Sequence, residues 1–224
     1  MNNTNVRCRI AGRNIYKGCG DNTLGDHYII VTDTAFQEAK MNSTDTAGVS
    51  SNNSSSKAAF IGSDMWNLTL GANTSTGNAV NTTGINQTLY SIFGNSLIKY
   101  RDLSTNSIDT TAAPAAGGIW TGCSSDWEWD DCYATLLNEC ELYGGPIVSS
   151  SYYDIGIKKA QLPLFTLNPE LIMLKNSSGG NVWYWLKNVS SGFRFCGCGE
   201  LGYAGFSLAS SNNRSLRLEF LLSA

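Results

Sequence analysis

A single histidine, His27, is the first place to look for acid–base chemistry, and it stands alone. A serine or cysteine triad needs an imidazole beside its nucleophile, and a three-histidine metal site needs two more. His27 follows Asp26 at the edge of a predicted strand, where an imidazole is more often a structural hydrogen-bonding group than a general base. Carboxylates concentrate in "DWEWDD", Asp126–Asp131. Paired acids hydrolyse glycosides or hold calcium, yet this run lacks the alternating oxygen ligands and central glycine of an EF-hand loop. Its commoner role is to place negative charge at the start of a helix. "FCGCG", Phe195–Gly199, carries a Cys-x-Cys pair of the kind used in redox work or copper binding. Residues two apart on a strand share a face but rarely bond to each other, and no second group of soft ligands lies nearby in the sequence. Neither a phosphate-binding loop nor a dinucleotide fingerprint occurs. These observations point away from an enzyme and predict neither a metal nor a cofactor.

The elements that would carry these residues are bounded by composition. The chain has 224 residues, 42% apolar and 15% charged, enough for a sizeable core within one domain spanning 1–224. A net charge of -3 argues against a nucleic-acid partner, which calls for a basic face. No apolar run is long enough to insert into a membrane, and Met1-Asn2-Asn3-Thr4 does not read as a signal peptide. Seven cysteines is an odd number, so at least one is free or pairs between chains. Most are expected to be buried thiols, with Cys8 and Cys19 a candidate pair. The richness in Asn, Ser, Thr and Gly suits an extracellular or virion-surface protein with long loops, and six tryptophans with ten tyrosines argue against global disorder.

Along the chain, Val6–Ile15 reads as an N-terminal strand and "GDHYIIVTD" (25–33) as a stronger one. "TAFQEAKMN" (34–42) reads as a short helix, followed by a polar loop over 42–57. "GINQTLYSIFGN" has Ile85, Leu89, Ile92 and Phe93 at helical spacing with Gly94 as a C-cap, and "SLIKYRDL" follows as a strand. A second loop covers 110–118. Asp130 or Asp131 would cap a helix "DCYATLLNECELY", stopped by Gly144, Gly145 and Pro146. Beyond it, "LPLFTL", "ELIMLK", "NVWYWLKNV", "FRF" and "LRLEFLL" read as strands. The sum is an α+β domain with two helices packed on small antiparallel sheets.

The last strands are peculiar: between Arg194 and Phe220 half the side chains follow no packing rule. Taken with "LGDHYIIV", "FIGSDMW", "IFGNSLIKYRDLSTN", "LLNECELYGGP", "QLPLFTLNPELI", "WYWLKNV" and "GYAGFSLAS", the stretch from Leu24 to Ala224 resembles prophage and virus proteins ending in a C-type lectin-like domain. It is similar to the variable proteins of diversity-generating retroelements. The specific parts are Trp185-Leu186-Lys187 and the frame Gly202-x-Ala204-x-x-x-x-Ala209-Ser210. Many members close on Gly-Val-Arg-Pro-Ala-Phe; here "RSLRLEF" keeps Arg217 and Phe220 and lacks the proline.

The resemblance implies a C-type lectin fold of the formylglycine-generating-enzyme subtype, with a diversified region over 188–220. It implies a ligand-binding face at Phe193, Arg194, Gly197, Gly199, Glu200, Leu201, Tyr203, Gly205, Phe206, Ser207, Leu208, Ser211 and Asn213. Trp185, Leu186, Phe195, Gly202, Ala204, Ala209 and Arg217 match its fixed frame. Adenine-directed rewriting of Asn codons never yields Lys, Gln, Glu, Met or Trp, and from Asn188 to Ser215 only Glu200 breaks that rule. The implied function is binding of a host-surface protein or glycan from a virion tail or fibre, or from the outer surface of a cell. Residues 1–22 would supply a docking strand toward other virion proteins or further copies of the chain. Two alternatives stand beside it. One is an enzyme that oxidises a target cysteine, with Cys196 and Cys198 as a remnant. The other is a structural virion protein with no dedicated ligand. No calcium-dependent sugar motif is present.

Overall fold

The computed structural model describes residues 5–20, 23–45, 59–72, 84–108, 124–211 and 214–224. In chain order the regular elements are β1 (Cys8–Arg13), β2 (His27–Thr32), α1 (Ile85–Phe93), β3 (Leu97–Ile98), β4 (Tyr100–Ile108), β5 (Ser124–Cys132) and β6 (Ala134–Leu136). They continue with α2 (Glu139–Tyr143), α3 (Pro163–Leu167), β7 (Leu174–Lys175), β8 (Asn181–Val182), β9 (Tyr184–Ser191), β10 (Arg194–Cys198), β11 (Ala204–Leu208) and β12 (Leu218–Ser223). The result is a mixed α+β protein of mostly small antiparallel sheets with few helices.

The apolar run Ile29–Val31 is buried because β2 is an inner strand: β1 lies on one side and the C-terminal β12 on the other. β3 and β6 both pair with the far edge of β12, which completes a five-stranded sheet. Antiparallel pairing joins β4 to β5, β7 to β8, and β9 to β10 to β11. One large apolar core lies between these sheets and includes Trp66, Trp185, Phe165, Phe195, Leu136 and Leu186.

Several expectations hold. α1 begins with buried Ile85 and ends at Gly94, whose φ of +53° favours glycine, although Ile92 points outward at 65% exposure. α2 stops at Gly144 in the left-handed conformation.

Three expectations are corrected. The predicted helix over 34–42 is an irregular strap. Its donors are spent on distant carbonyls, from Ala35 to Lys175, Ala39 to Arg214, and Met41 and Asn42 both to Ala209. Tertiary hydrogen bonding has overridden a weak local propensity.

The predicted helix starting at Asp130 or Asp131 is mostly strand. Cys132, Ala134 and Leu136 are buried at a spacing of two, not four. Only Glu139–Tyr143 is helical, capped by Asn138, which accepts from the Glu141 N–H while Glu141 reaches back to the Asn138 N–H. The acidic run Asp126–Asp131 therefore lies along β5 and caps no helix.

"LPLFTL" is α3 rather than a strand, with Pro163 in the first turn, where its missing N–H costs nothing. "ELIMLK" enters a short 3-10 turn, Pro169–Ile172, before β7. The second predicted loop and most of the first lie outside the described residues.

Candidate ligand-binding face

β10 and β11 form a hairpin whose tip is built by glycine. Gly202 donates to the Gly199 carbonyl and Gly199 to the Tyr203 carbonyl, both at 2.9 Å. Gly202 has φ of +82°, the left-handed residue that a three-residue hairpin loop requires. This geometry lifts Glu200 and Leu201 to the tip, where Leu201 is 80% exposed. On its other side β10 pairs with β9, all of whose residues are buried. β11 is thus the edge strand of its sheet.

The frame residues lock this hairpin to the core. Trp185, Leu186, Phe195 and Ala209 have no exposed surface, while Gly202 and Ala204 are half-buried. The Trp185 indole donates to the Ala39 carbonyl at 2.8 Å. Ala209 donates to the Phe193 carbonyl, closing the hairpin base, and its own carbonyl accepts from Met41 and Asn42. Arg217 is fully buried. Its Nε donates to the Thr32 carbonyl at 3.1 Å and its Nη1 to the Ile172 carbonyl and the Tyr184 hydroxyl.

Among the expected ligand-binding residues, Phe193, Glu200, Leu201, Tyr203 and Leu208 are exposed. Arg194, Gly205, Phe206, Ser207 and Ser211 are half-buried, and Asn213 lies outside the described residues. Alternation along β11 divides them between two sides of the sheet. The register pairs Leu208 with Arg194 and Phe206 with Cys196, and the Arg194 guanidinium sits 5.7 Å from the Phe206 ring centre. Tyr203, Gly205 and Ser207 alternate onto the opposite side. The surface wraps around an edge strand instead of forming one flat face.

Gly197 and Gly199 depart from the expectation, since both are buried. A Cβ on Gly197 would stand 2.2 Å from the Trp183 ring and 2.7 Å from the Tyr184 carbonyl oxygen. The ring can move, but the carbonyl belongs to β9. A side chain at 197 is therefore incompatible with the sheet. At Gly199 the nearest obstruction is the Tyr203 ring, at 2.3 Å. Gly197→Ala is expected to cost about 1–3 kcal/mol in urea unfolding, as overpacking does. Leu201→Ala should stay within about 0.5 kcal/mol. Equal stabilities for the two variants would show that position 197 tolerates a side chain.

Sequence reasoning missed Trp183 and Arg214. The half-buried indole donates from Nε1 to the Tyr203 hydroxyl at 3.3 Å and meets that ring edge-on, with centres 6.4 Å apart. The Arg214 guanidinium lies 4.5 Å from its ring centre. The available signal was a tryptophan two residues before the Trp185 signature, on a strand-like stretch where both would share a face.

The remaining candidates for chemistry have structural partners. His27 is buried; its Nδ1 donates to the Gly25 carbonyl at 2.9 Å and its Nε2 accepts from the Tyr16 N–H, which assigns the neutral Nδ1–H tautomer. Asp26 turns outward to Lys17, whose hydrogen bond and charge lower its carboxyl below the usual range. Asp131 pairs with Lys99 at 2.9 Å and Arg101 at 3.1 Å. Cys196 and Cys198 are fully buried, and burial pushes the Cys198 thiol up. The Cys140 thiol is pushed up to about 12 by burial and then by Glu141. Cys8 and Cys19 are both free thiols. Among the described residues, no group of at least three His, Cys, Asp or Glu side chains is placed to hold a metal ion, and no helix is long and apolar enough to cross a membrane. No protein-family model matches this chain, and neither a curated protein nor a solved structure matches it.

Proposed function

We propose that this chain is a receptor-binding protein of a virion or cell surface, with a C-type lectin-like fold of the formylglycine-generating-enzyme subtype. Its ligand surface is the β10–β11 hairpin, rewritten by an adenine-directed retroelement. One observation carries this. Of the eleven exposed large apolar side chains among the described residues, Phe193, Leu201, Tyr203 and Leu208 fall on this single hairpin. The frame residues Trp185, Leu186, Phe195, Ala209 and Arg217 beneath it are completely enclosed. Exposed apolar groups gathered on one hairpin favour an interaction site, whereas exposed apolar residues scattered singly carry no such meaning. Division of labour gives the physical logic. Surface substitutions cost about 0.5 kcal/mol or less, and enclosed ones several times more, so only the outer set is free to change.

Phe193, Tyr203, Phe206 and Arg194 belong to this surface, which favours a protein ligand over a glycan, because aromatic and arginine residues supply most energetic anchors of protein interfaces. Cys196 and Cys198 are both buried, and burial pushes the Cys198 thiol up, which supports binding rather than cysteine oxidation, since that needs an accessible thiolate. The docking strand within 1–22 would use the outer edge of β1, where Ile10 is 58% exposed, since β2 occupies the inner edge. Other virion proteins or further copies of this chain would bind there.

The test is to sequence this locus in sibling genomes, together with its flanking DNA. Substitutions confined to the codons of 193, 194, 199–201, 203, 206–208, 211 and 213, beside a template repeat and a reverse transcriptase gene, are expected. Variation spread evenly over exposed positions of the whole chain, with no template repeat, would overturn the proposal.

A further inference from the structure

Tyr203, Ser207 and Leu208 are positions that change, and a surface that changes still needs something constant at its centre. Trp183 has the required properties. It lies outside the rewritten set, and tryptophan is not among the products of adenine-directed rewriting of Asn codons. Its ring rests on a floor made by two glycines on neighbouring strands. A Cβ would stand 2.2 Å from the ring at Gly197 and 2.9 Å at Gly205, so the indole fills the space that two side chains would otherwise take. Gly197 and Gly205 are directly paired across β10 and β11, so the floor is a property of the register.

The backbone holding the indole is equally determined. Ser215 donates to the Trp183 carbonyl at 2.9 Å, and Trp185 donates to the Ser215 carbonyl at 3.1 Å. Arg214, next to that clamp, covers the ring at 4.5 Å. The ring is therefore positioned before any ligand arrives, which removes the entropic cost of ordering a large side chain on binding. Where residue 203 is a tyrosine, the indole N–H also sets its hydroxyl.

From this arrangement we infer that Trp183 is the fixed anchor of the ligand surface. It is a preorganised aromatic contact that each protein ligand meets, whatever side chains rewriting places around it. The inference rests on the proposed binding function and adds the residue that rewriting leaves alone. Substitution of a central tryptophan anchor costs on the order of 30-fold in affinity.

The experiment is a display library of the full chain, randomised at Phe193, Glu200, Leu201, Tyr203, Phe206 and Leu208. It is selected separately against immobilised lysozyme, ubiquitin and serum albumin. Selected binders then receive Trp183→Ala and, independently, Trp183→Phe, with thermal melting measured on each. Expected are binders to all three probes, an affinity loss of about 30-fold with Trp183→Ala across unrelated sequences, and partial recovery with Trp183→Phe. Melting temperatures are expected to fall with Trp183→Ala, since the space over Gly197 and Gly205 is emptied, so affinities are compared on folded protein well below each transition. Binders that keep their affinity within about threefold in both variants would overturn the anchor while leaving the binding function intact. Well-folded libraries that yield no binder to any probe would overturn the binding function itself. If Trp183→Ala fails to fold, Trp183→Phe decides alone: a loss of at least about fivefold in folded protein supports the anchor, and a smaller loss removes it.

Discussion

Arg217→Met is expected to destabilise the protein by about 3–5 kcal/mol, the range for removing one partner of a buried charged network. The guanidinium lies between the five-stranded sheet and β9, the strand that pairs with β10 of the hairpin. It hydrogen-bonds the carbonyls of Thr32 and Ile172 and the Tyr184 hydroxyl, and it stacks 4.8 Å from the Phe165 ring centre. Its Nη2 is 3.9 Å from Asp33, a buried carboxylate also bound by Arg7 and Arg9. Methionine fills much of the volume but removes the side-chain donors to the Thr32 carbonyl and the Tyr184 hydroxyl, and leaves the Ile172 carbonyl with the Tyr184 O–H. Lysine should not rescue, because a single ammonium cannot reproduce the planar fork. Urea unfolding reads the effect. A loss below about 1 kcal/mol would show that the hairpin is held by apolar packing alone.

Lys187→Met is expected to cost a similar amount, about 3–5 kcal/mol, and Asp102→Leu together with Lys187→Met should restore most of it. Lys187 on β9 is 3% exposed and its ammonium contacts both carboxylate oxygens of Asp102 on β4, itself 1% exposed. Burial alone would lower the ammonium's affinity for its proton. The negative charges of Asp102 and Glu141 outweigh that, and its pKa is raised. Removing the lysine strands the Asp102 charge, whereas removing both leaves an apolar contact. Nearby, the Tyr16 hydroxyl lies 3.0 Å from both Glu141 and Glu219. One phenolic proton cannot be donated to two carboxylates at once. Burial first, and then the neighbouring Glu141, raises the Glu219 pKa well above the ordinary carboxylate range. The double-mutant cycle in urea measures the coupling. A double variant as unstable as Lys187→Met alone would mean that the lysine acts through its packing and not through Asp102.

Local signals were legible wherever a short stretch could state its own structure. The apolar run of β2 and the glycine stops at Gly94 and Gly144 were visible in residue types and spacing. The enclosure of Leu186, Phe195 and Ala209 and the exposure of Leu201, Tyr203 and Leu208 followed from the family resemblance alone, since size and polarity do not tell these leucines apart.

Other features depend on partners far away in the chain. Whether 34–42 becomes a helix is decided by carbonyls at 175, 209 and 214 that accept its N–H groups. The stretch from Cys132 to Leu136 could not declare itself strand until β4 lay beside β5 and β12 beside β6. The paired glycines 197 and 205 looked free to change, because nothing in a linear sequence reveals that an indole from residue 183 lies over them. The sequence alone determined the local elements whose signal is carried by neighbouring residues, such as the buried run of β2 and the glycine stops of α1 and α2, through side-chain size and backbone freedom. The tertiary structure alone decided which glycines are load-carrying space and which tryptophan fills it, because excluded volume is a property of residues brought together from different strands.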